Sequence, residues 1–239
     1  MGYDKQNPET IQSMFGSIAK DYDRGNAILS FQMHKWWNSQ LIKHVLTPTQ
    51  PESFLDLCAG TGDIALTYLN KKQKAHDCKG VLLDFCKEML DIAQIKAQQM
   101  GIRNTVEYVV ADAQQIPFEE KSFNAVTVAY GIRNVKDFQK CFREVFRVLK
   151  PGGRFGILEL TQPENKILRL GHNLYLKNVL PLAGKMFTSN ENAYKYLCQS
   201  IQHFVAPQVL EAGLKEAGFK NIQRISLLGG VATLIVAQT

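Results

Sequence analysis

Hydrophobic residues recur along this chain in two rhythms. Over the first fifty residues the rhythm is helical: Ile11, Met14, Phe15, Ile18 and Tyr22 share one face, and Trp36, Trp37, Leu41 and Ile42 form a second patch that Pro48 and Pro51 are expected to end. From residue 53 the period shortens. Ser53 to Leu57 predicts a strand, followed by a glycine turn at Gly60 and Gly62 and a helix through Ile64, Leu66 and Leu69. Gly80 to Phe85, Val106 to Val110, Phe123 to Ala129 and Arg154 to Leu160 repeat the strand signal. Helical runs separate them at Leu90, Ile92 and Ile95 and at Phe138, Cys141, Val145, Phe146 and Leu149, the latter stopped by Lys150-Pro151-Gly152-Gly153. Apolar strands alternating with amphipathic helices predict a parallel sheet buried under helices on both faces.

Residues 164–192 break the alternation. Ile167, Leu168, Leu170, Leu174, Tyr175, Leu176, Val179, Leu180 and Leu182 stand beside Lys166, Arg169, Lys177 and Lys185, which predicts a helical insertion over the sheet. A last helix, Gln208 to Ala217, precedes Asn221 to Leu228, a Gly229-Gly230 turn and Val231 to Val236, a hairpin that would add antiparallel strands to the sheet. No repeat or linker divides residues 1–239, so one α/β domain is expected, with residues 1–50 as a helical cap.

Composition narrows the class. The chain has 239 residues, 45% of them hydrophobic, and 28 Lys and Arg against 22 Asp and Glu give +6. A domain of this size buries roughly 70–75% of its unfolded surface without a metal or disulfide staple. No apolar run approaches the ~18 residues of a membrane span, and Met1 to Thr10 carries no secretory signal, so a cytoplasmic protein is expected. The five cysteines include no C-x-x-C pair, and the histidines show no metal-ligand spacing, so neither a metal nor a disulfide framework is expected. The basic balance is mild and lacks aromatic-basic interleaving, so no nucleic-acid partner is expected.

The chemistry concentrates in Asp56-Leu57-Cys58-Ala59-Gly60-Thr61-Gly62-Asp63. Read as G-x-G-x-x-A it fits a dinucleotide turn, whose glycines let backbone approach a ligand at a helix start. Asp56 and Asp63 would repel a pyrophosphate and suit a cation, and S-adenosylmethionine carries both a sulfonium and an ammonium. Asp84 and Asp112 follow later strands at the edge where open α/β sheets bind ligands. Asp84 is placed to accept from both ribose hydroxyls, and Asp112 with the backbone at Ala113 to accept from the adenine amino group. With Thr61 in the turn and Ala129 at the end of the fourth strand, these form the expected cofactor site. A plain glycine turn with solvated aspartates is the alternative.

Three further segments carry a resemblance. They are Tyr22-Asp23-Arg24-Gly25-Asn26-Ala27-Ile28-Leu29-Ser30 with His34 and Trp37, Arg147-Val148-Leu149-Lys150-Pro151-Gly152-Gly153 leading to Glu159-Leu160-Thr161, and Gly131-Ile132-Arg133-Asn134-Val135. From about Phe15 to Val236 the chain resembles the ubiquinone/menaquinone-biosynthesis C-methyltransferases, the demethylmenaquinone methyltransferase family within class I methyltransferases. It departs from the family pattern at Gly25, where methionine is usual, and at Thr161, which replaces a serine. The resemblance implies a Rossmann-like fold with a seven-stranded, mostly parallel sheet. It also implies methyl transfer from S-adenosylmethionine to a ring carbon of a polyprenylated quinol. Arg133 would then stabilise a phenolate, with Asn134 and Tyr22 completing the hydrogen bonds.

Plainer readings stay open. Arg133 and Asn134 could cap a helix, Tyr22 could be a core residue, and His34 reads more readily as packing than as a base. The insertion fits a tail channel or a membrane contact as well as a core helix pair with a basic face. A different methyl acceptor, a non-catalytic binder and a nicotinamide dehydrogenase are the rival functions, and homodimerisation is left open.

Overall fold

The computed structural model describes residues 7–49, 51–72, 78–102, 106–179 and 191–239. All seven strand signals are met, most within two residues at either end, as β1 (Ser53–Leu57), β2 (Lys79–Asp84), β3 (Val106–Val110), β4 (Phe123–Ala129), β5 (Leu149–Leu160), β6 (Lys220–Leu227) and β7 (Ala232–Gln238), β5 alone starting five residues early. They form one seven-stranded sheet in the order β3-β2-β1-β4-β5-β7-β6. β1 to β5 pair in parallel, and β7 runs antiparallel between β5 and β6. Central strands are buried along almost their whole length, which is why they read as continuous apolar runs, whereas the edge strand β6 is largely exposed.

The N-terminal segment is three helices: α1 (Pro8–Ile18), α2 (Tyr22–Leu29) and α3 (Met33–Leu41). Tyr22 starts the second of them and does not continue the first, as its spacing had suggested. The segment ends between Pro48 and Pro51, as expected: helical backbone runs from α3 through a wide π turn at Ile42–Leu46 into Thr47–Thr49. Proline has no N–H to offer the preceding turn, and the carbonyl of His44 instead accepts from Arg154 Nη1 at 2.9 Å.

The remaining helices are α4 (Asp63–Lys72), α5 (Lys87–Gln99), α6 (Phe138–Val148), α7 (Lys166–Leu174), α8 (Glu191–His203) and α9 (Pro207–Glu216). One sheet face, with Phe54 and Leu82, packs against Leu41 and Val45, Leu66 of α4 and Leu90 of α5. The other, with Leu55 and Leu57, packs against Phe142 and Val145 of α6 and Leu210 of α9. Burying both faces fixes the strand register, because a slip by one residue would exchange them.

Two expectations need correction. Lys150-Pro151-Gly152-Gly153 does not separate helix from strand: β5 already pairs with β4 at Leu149, and the ladder shifts register before resuming at Arg154. α8 was not foreseen, although Tyr196, Ser200 and Ile201 fall on its buried side. Of the expected insertion, residues 180–190, with Leu180, Leu182 and Lys185, lie outside the described residues, as does His76. Among the described residues no helix is long and apolar enough to cross a membrane.

Candidate active site

The site forms where β1 and β4 end side by side. Cys58 after β1 and Tyr130 after β4 both have left-handed backbone, φ +51° and +57°, a conformation costing a side-chain-bearing residue on the order of 1–3 kcal/mol. Backbone bonds hold the two turns, Ala59 N–H to Leu83 O at 3.1 Å and Tyr130 N–H to Leu158 O at 2.8 Å. Between them Gly131 is sterically required, since a Cβ there would lie 2.3 Å from Cys58 Cβ.

A cavity of about 240 Å³ opens over these turns and brings together Gly60, Asp84, Asp112, Ala113, Ala129 and Asn134. Asp84 is buried at the end of β2 and accepts the N–H groups of Gly60 (2.8 Å) and Cys86 (2.9 Å), while desolvation lifts its carboxyl to about 6. Asp112 lies exposed at the rim, accepting the backbone N–H of Gln114 at 2.9 Å. A smaller cavity of about 50 Å³ is lined by Asp56, Gly60, Thr61 and Ala129. Because Asp56 faces Thr127 across the β1–β4 register, its Oδ1 accepts the threonine hydroxyl at 2.7 Å. Its Oδ2 is buried with no hydrogen-bond partner, and burial lifts the carboxyl to about 7.

Thr61 and Gly62 stand differently from the other turn residues. The Thr61 hydroxyl donates to Asp23 Oδ1 at 2.5 Å, and Gly62 faces the sheet, where a Cβ would lie 2.9 Å from Leu82. Lys96 Nζ pairs with both Asp23 (2.7 Å) and Asp63 (2.5 Å). Asp63, read from the sequence as half of a cation-attracting pair, therefore shares a single lysine with Asp23 at a partly exposed position. Asp56 is the buried carboxylate of that pair and has no ion-pair partner among the described residues.

Arg133 sits in the 3-10 turn Ile132–Asn134 and is buried. Its guanidinium pairs with the buried Glu159 on β5, whose carboxylate also accepts the backbone N–H of Leu160 (2.8 Å) and of Arg133 (3.3 Å). Asn134 Oδ1 accepts the Tyr196 hydroxyl of α8 at 2.8 Å. Tyr22 is kept protonated chiefly by burial, so its phenol is a donor.

Beyond them lies an apolar cavity of about 720 Å³, lined by Tyr22, His34, Tyr130, Arg133, Leu160 and Tyr175 among others. Tyr22 and Tyr130 also line both polar cavities. Sequence reasoning missed Glu159 and Tyr130 as site residues. The signal for Glu159 was present, since a lone acid in the apolar run from Phe155 to Leu160 needs a buried cationic partner.

The donor set fits S-adenosylmethionine. The unpartnered Asp56 oxygen suits its ammonium, the Asp84 carboxylate suits a ribose diol, and Gly60 leaves open space where a Cβ would stand. Among the described residues no three His, Cys, Asp or Glu side chains cluster as metal ligands.

Comparison with known proteins agrees over nearly the whole chain. A solved S-adenosylmethionine-dependent methyltransferase from Thermotoga maritima, described as a possible histamine N-methyltransferase, superposes with a TM-score of 0.63 over 95% of this chain and 98% of its own, at 17% identity. At that identity the likeness shows the fold. A demethylmenaquinone methyltransferase of Protochlamydia amoebophila is 52% identical over 98% of this chain and 96% of its own. The ubiquinone/menaquinone biosynthesis C-methyltransferase UbiE of Bartonella quintana is 37% identical over 96% and 88%. The sequence model of the ubiE/COQ5 methyltransferase family matches residues 3–238. With its sheet order, strand-end acids and Gly-Ile-Arg-Asn turn, the chain belongs to the ubiE/COQ5 methyltransferase family.

Proposed function

We propose that this chain methylates a ring carbon of a polyprenylated quinol, converting demethylmenaquinol to menaquinol with S-adenosylmethionine as donor. The observation that carries the reading is the meeting, at Tyr22 and Tyr130, of a cavity that sets Asp84 and Asp112 among apolar side chains with a larger, almost wholly apolar one. One suits a nucleoside and the other a ring with an isoprenoid tail. The relative from Protochlamydia amoebophila supports the naphthoquinol acceptor, and the benzoquinol precursor of ubiquinone is the second reading, favoured by the name of the Bartonella quintana relative.

When bound, S-adenosylmethionine supplies a methyl group on a positively charged sulfur. Asp84 would hold the donor's ribose and Asp56 its ammonium, with Gly60, Thr61 and Ala129 lining the bed, Asp112 and Ala113 at the rim, and Gly62 letting the turn pack on the sheet. A quinol ring carbon becomes nucleophilic as its neighbouring hydroxyl loses a proton, so the site must stabilise a phenolate. Arg133 does so at the wall of the apolar cavity, aimed by Glu159, while Tyr22 donates a hydrogen bond and Asn134 is set by Tyr196.

The tail leaves toward a membrane surface. Phe31 is 73% exposed and Ile167 81%, and with Leu168 and Leu228 they rim the apolar cavity. Phe31 and Gln32 hold left-handed backbone that presents this tip. Beside it α7 exposes Leu170 and Leu174 together with Lys166 and Arg169, and the π turn that follows, Tyr175–Val179, exposes Lys177. Exposed aliphatics beside lysine and arginine match an anionic lipid surface. The chain thus works as one methyltransferase domain at the inner face of a membrane, with residues 1–50 as cap and 164–192 over the site.

Anaerobic incubation with methyl-labelled S-adenosylmethionine and, in parallel, reduced demethylmenaquinone and reduced demethylated benzoquinone tests the reading. Label in the naphthoquinol lipid is expected. No label in either lipid, with donor binding intact by calorimetry, would overturn it.

A further inference from the structure

We propose that His34 is the general base that takes the hydroxyl proton of the quinol. The assignment rests on the quinol reading above. It begins with a hydrogen-bond chain. Ser30 Oγ donates to the carbonyl of Asn26 at 2.6 Å and lies 2.6 Å from His34 Nδ1. A hydroxyl has one proton. With that proton on Asn26, Ser30 must accept from His34, which places the imidazole proton on Nδ1 and leaves the lone pair on Nε2.

His34 is also in the right place. It is buried and lines both the apolar cavity and the small polar cavity that holds Asp56 and Thr61, as Tyr22 and Tyr130 do. The other groups there cannot take a proton as readily. Tyr22 and Tyr130 are held protonated by burial, Arg133 is cationic, and Asp63 and Glu159 are ion-paired. Asp56 and Asp84 do not line the apolar cavity, and His172 lines it without reaching the polar one.

In the step, the quinol O–H bond breaks and an N–H bond forms on Nε2, its electron pair staying on oxygen and feeding the ring. The adjacent carbon forms the new C–C bond as the methyl leaves its sulfur, which keeps the C–S pair. Water takes the ring C–H proton, the imidazolium returns its own to the oxygen, and one proton is released overall.

The charges that act on His34 are Asp63 at the start of α4, Asp23 on α2 and the neighbouring Lys35, while Tyr22, Tyr130 and Arg133 line the apolar cavity with it. Desolvation outweighs the two acids, keeping the ring neutral to below its ordinary value of about 6.5.

Two measurements test the assignment. Nitrogen-15 NMR of the donor-free protein should show the His34 imidazole as the Nδ1–H tautomer, titrating below 6.5. An Nε2–H tautomer overturns the proposal whether or not any quinol is methylated. His34→Gln should keep donor affinity, lose about a hundredfold or more in kcat, and lose the acid limb of the kcat/KM profile. Ser30→Ala, which keeps the ring, should retain that limb with a rate several-fold lower. If His34→Gln keeps the parent rate or its acid limb while the parent labels quinol, His34 is not the base. An unlabelled quinol from the parent itself would instead refute the substrate reading.

Discussion

Asp56 carries a buried carboxyl whose Oδ2 lacks a partner and whose pKa is lifted to about 7. The unfolded chain ionises the same group near 4, so below that pH the residue costs folding nothing. As pH rises from about 4 to 7 the unfolded state gains the charge first, and stability falls across that window. Asp56→Asn keeps the oxygen bonded to Thr127 and removes the charge. Its melting temperature should match the parent at pH 4 and exceed it by several degrees at pH 8, while donor affinity drops. Asp84→Ala should weaken donor binding, read by calorimetry. Arg133→Ala should leave that binding intact and depress turnover, and full turnover would sink its assignment. Asp56, Asp84 and Gly60 were legible because turn, strand end and carboxylate lie within a few residues of one another. The Arg133–Glu159 pair and the dual exposure of His34 were not, because each depends on strands and helices that only the tertiary fold brings together.

At the scale of elements, strand ends rather than strands carry the function. Gly131 shows how tightly: Gly131→Ala puts a methyl 2.3 Å from Cys58 Cβ, and should destabilise the fold by about 1–3 kcal/mol, checked by urea unfolding. β1, β2 and β4 were legible since parallel strands buried on both faces are apolar runs that turn residues delimit, whereas the edge strand β3 was legible from its valine-rich run alone. α8 was hidden because its buried side mixes Tyr196 and Ser200 with Ile201, a pattern too polar to read as a core face. The end of the N-terminal segment was legible from Pro48 and Pro51, but not the bond by which Arg154, from a distant strand, takes up the carbonyl of His44. α7 was legible as apolar and basic together, but only the fold puts Ile167 and Leu168 at the cavity mouth. Ile167→Asp with Leu170→Asp should reduce flotation with vesicles containing anionic lipid while leaving donor binding unchanged.

For the whole molecule, the two smaller cavities over the strand ends share a wall, Tyr22 and Tyr130, with the large apolar one. The acids and glycines of the cavity over β1, β2 and β4 were singled out by charge and glycine spacing, and the insertion's share of the apolar cavity by its apolar run, whereas the parts that α2, α3 and α8 add to it have no local signature. Tyr22, Tyr130 and His34 stand where the cavities meet, with Arg133 on the apolar side, and on the proposed reading the methyl is transferred there. The most direct test is to supply carbon-13 methyl-labelled S-adenosylmethionine with demethylmenaquinol under anaerobic conditions and locate the label by NMR of the extracted lipid. The account predicts a methyl carbon bonded to the ring carbon beside a hydroxyl-bearing one. Label on a ring oxygen, or none despite a bound donor, would contradict it.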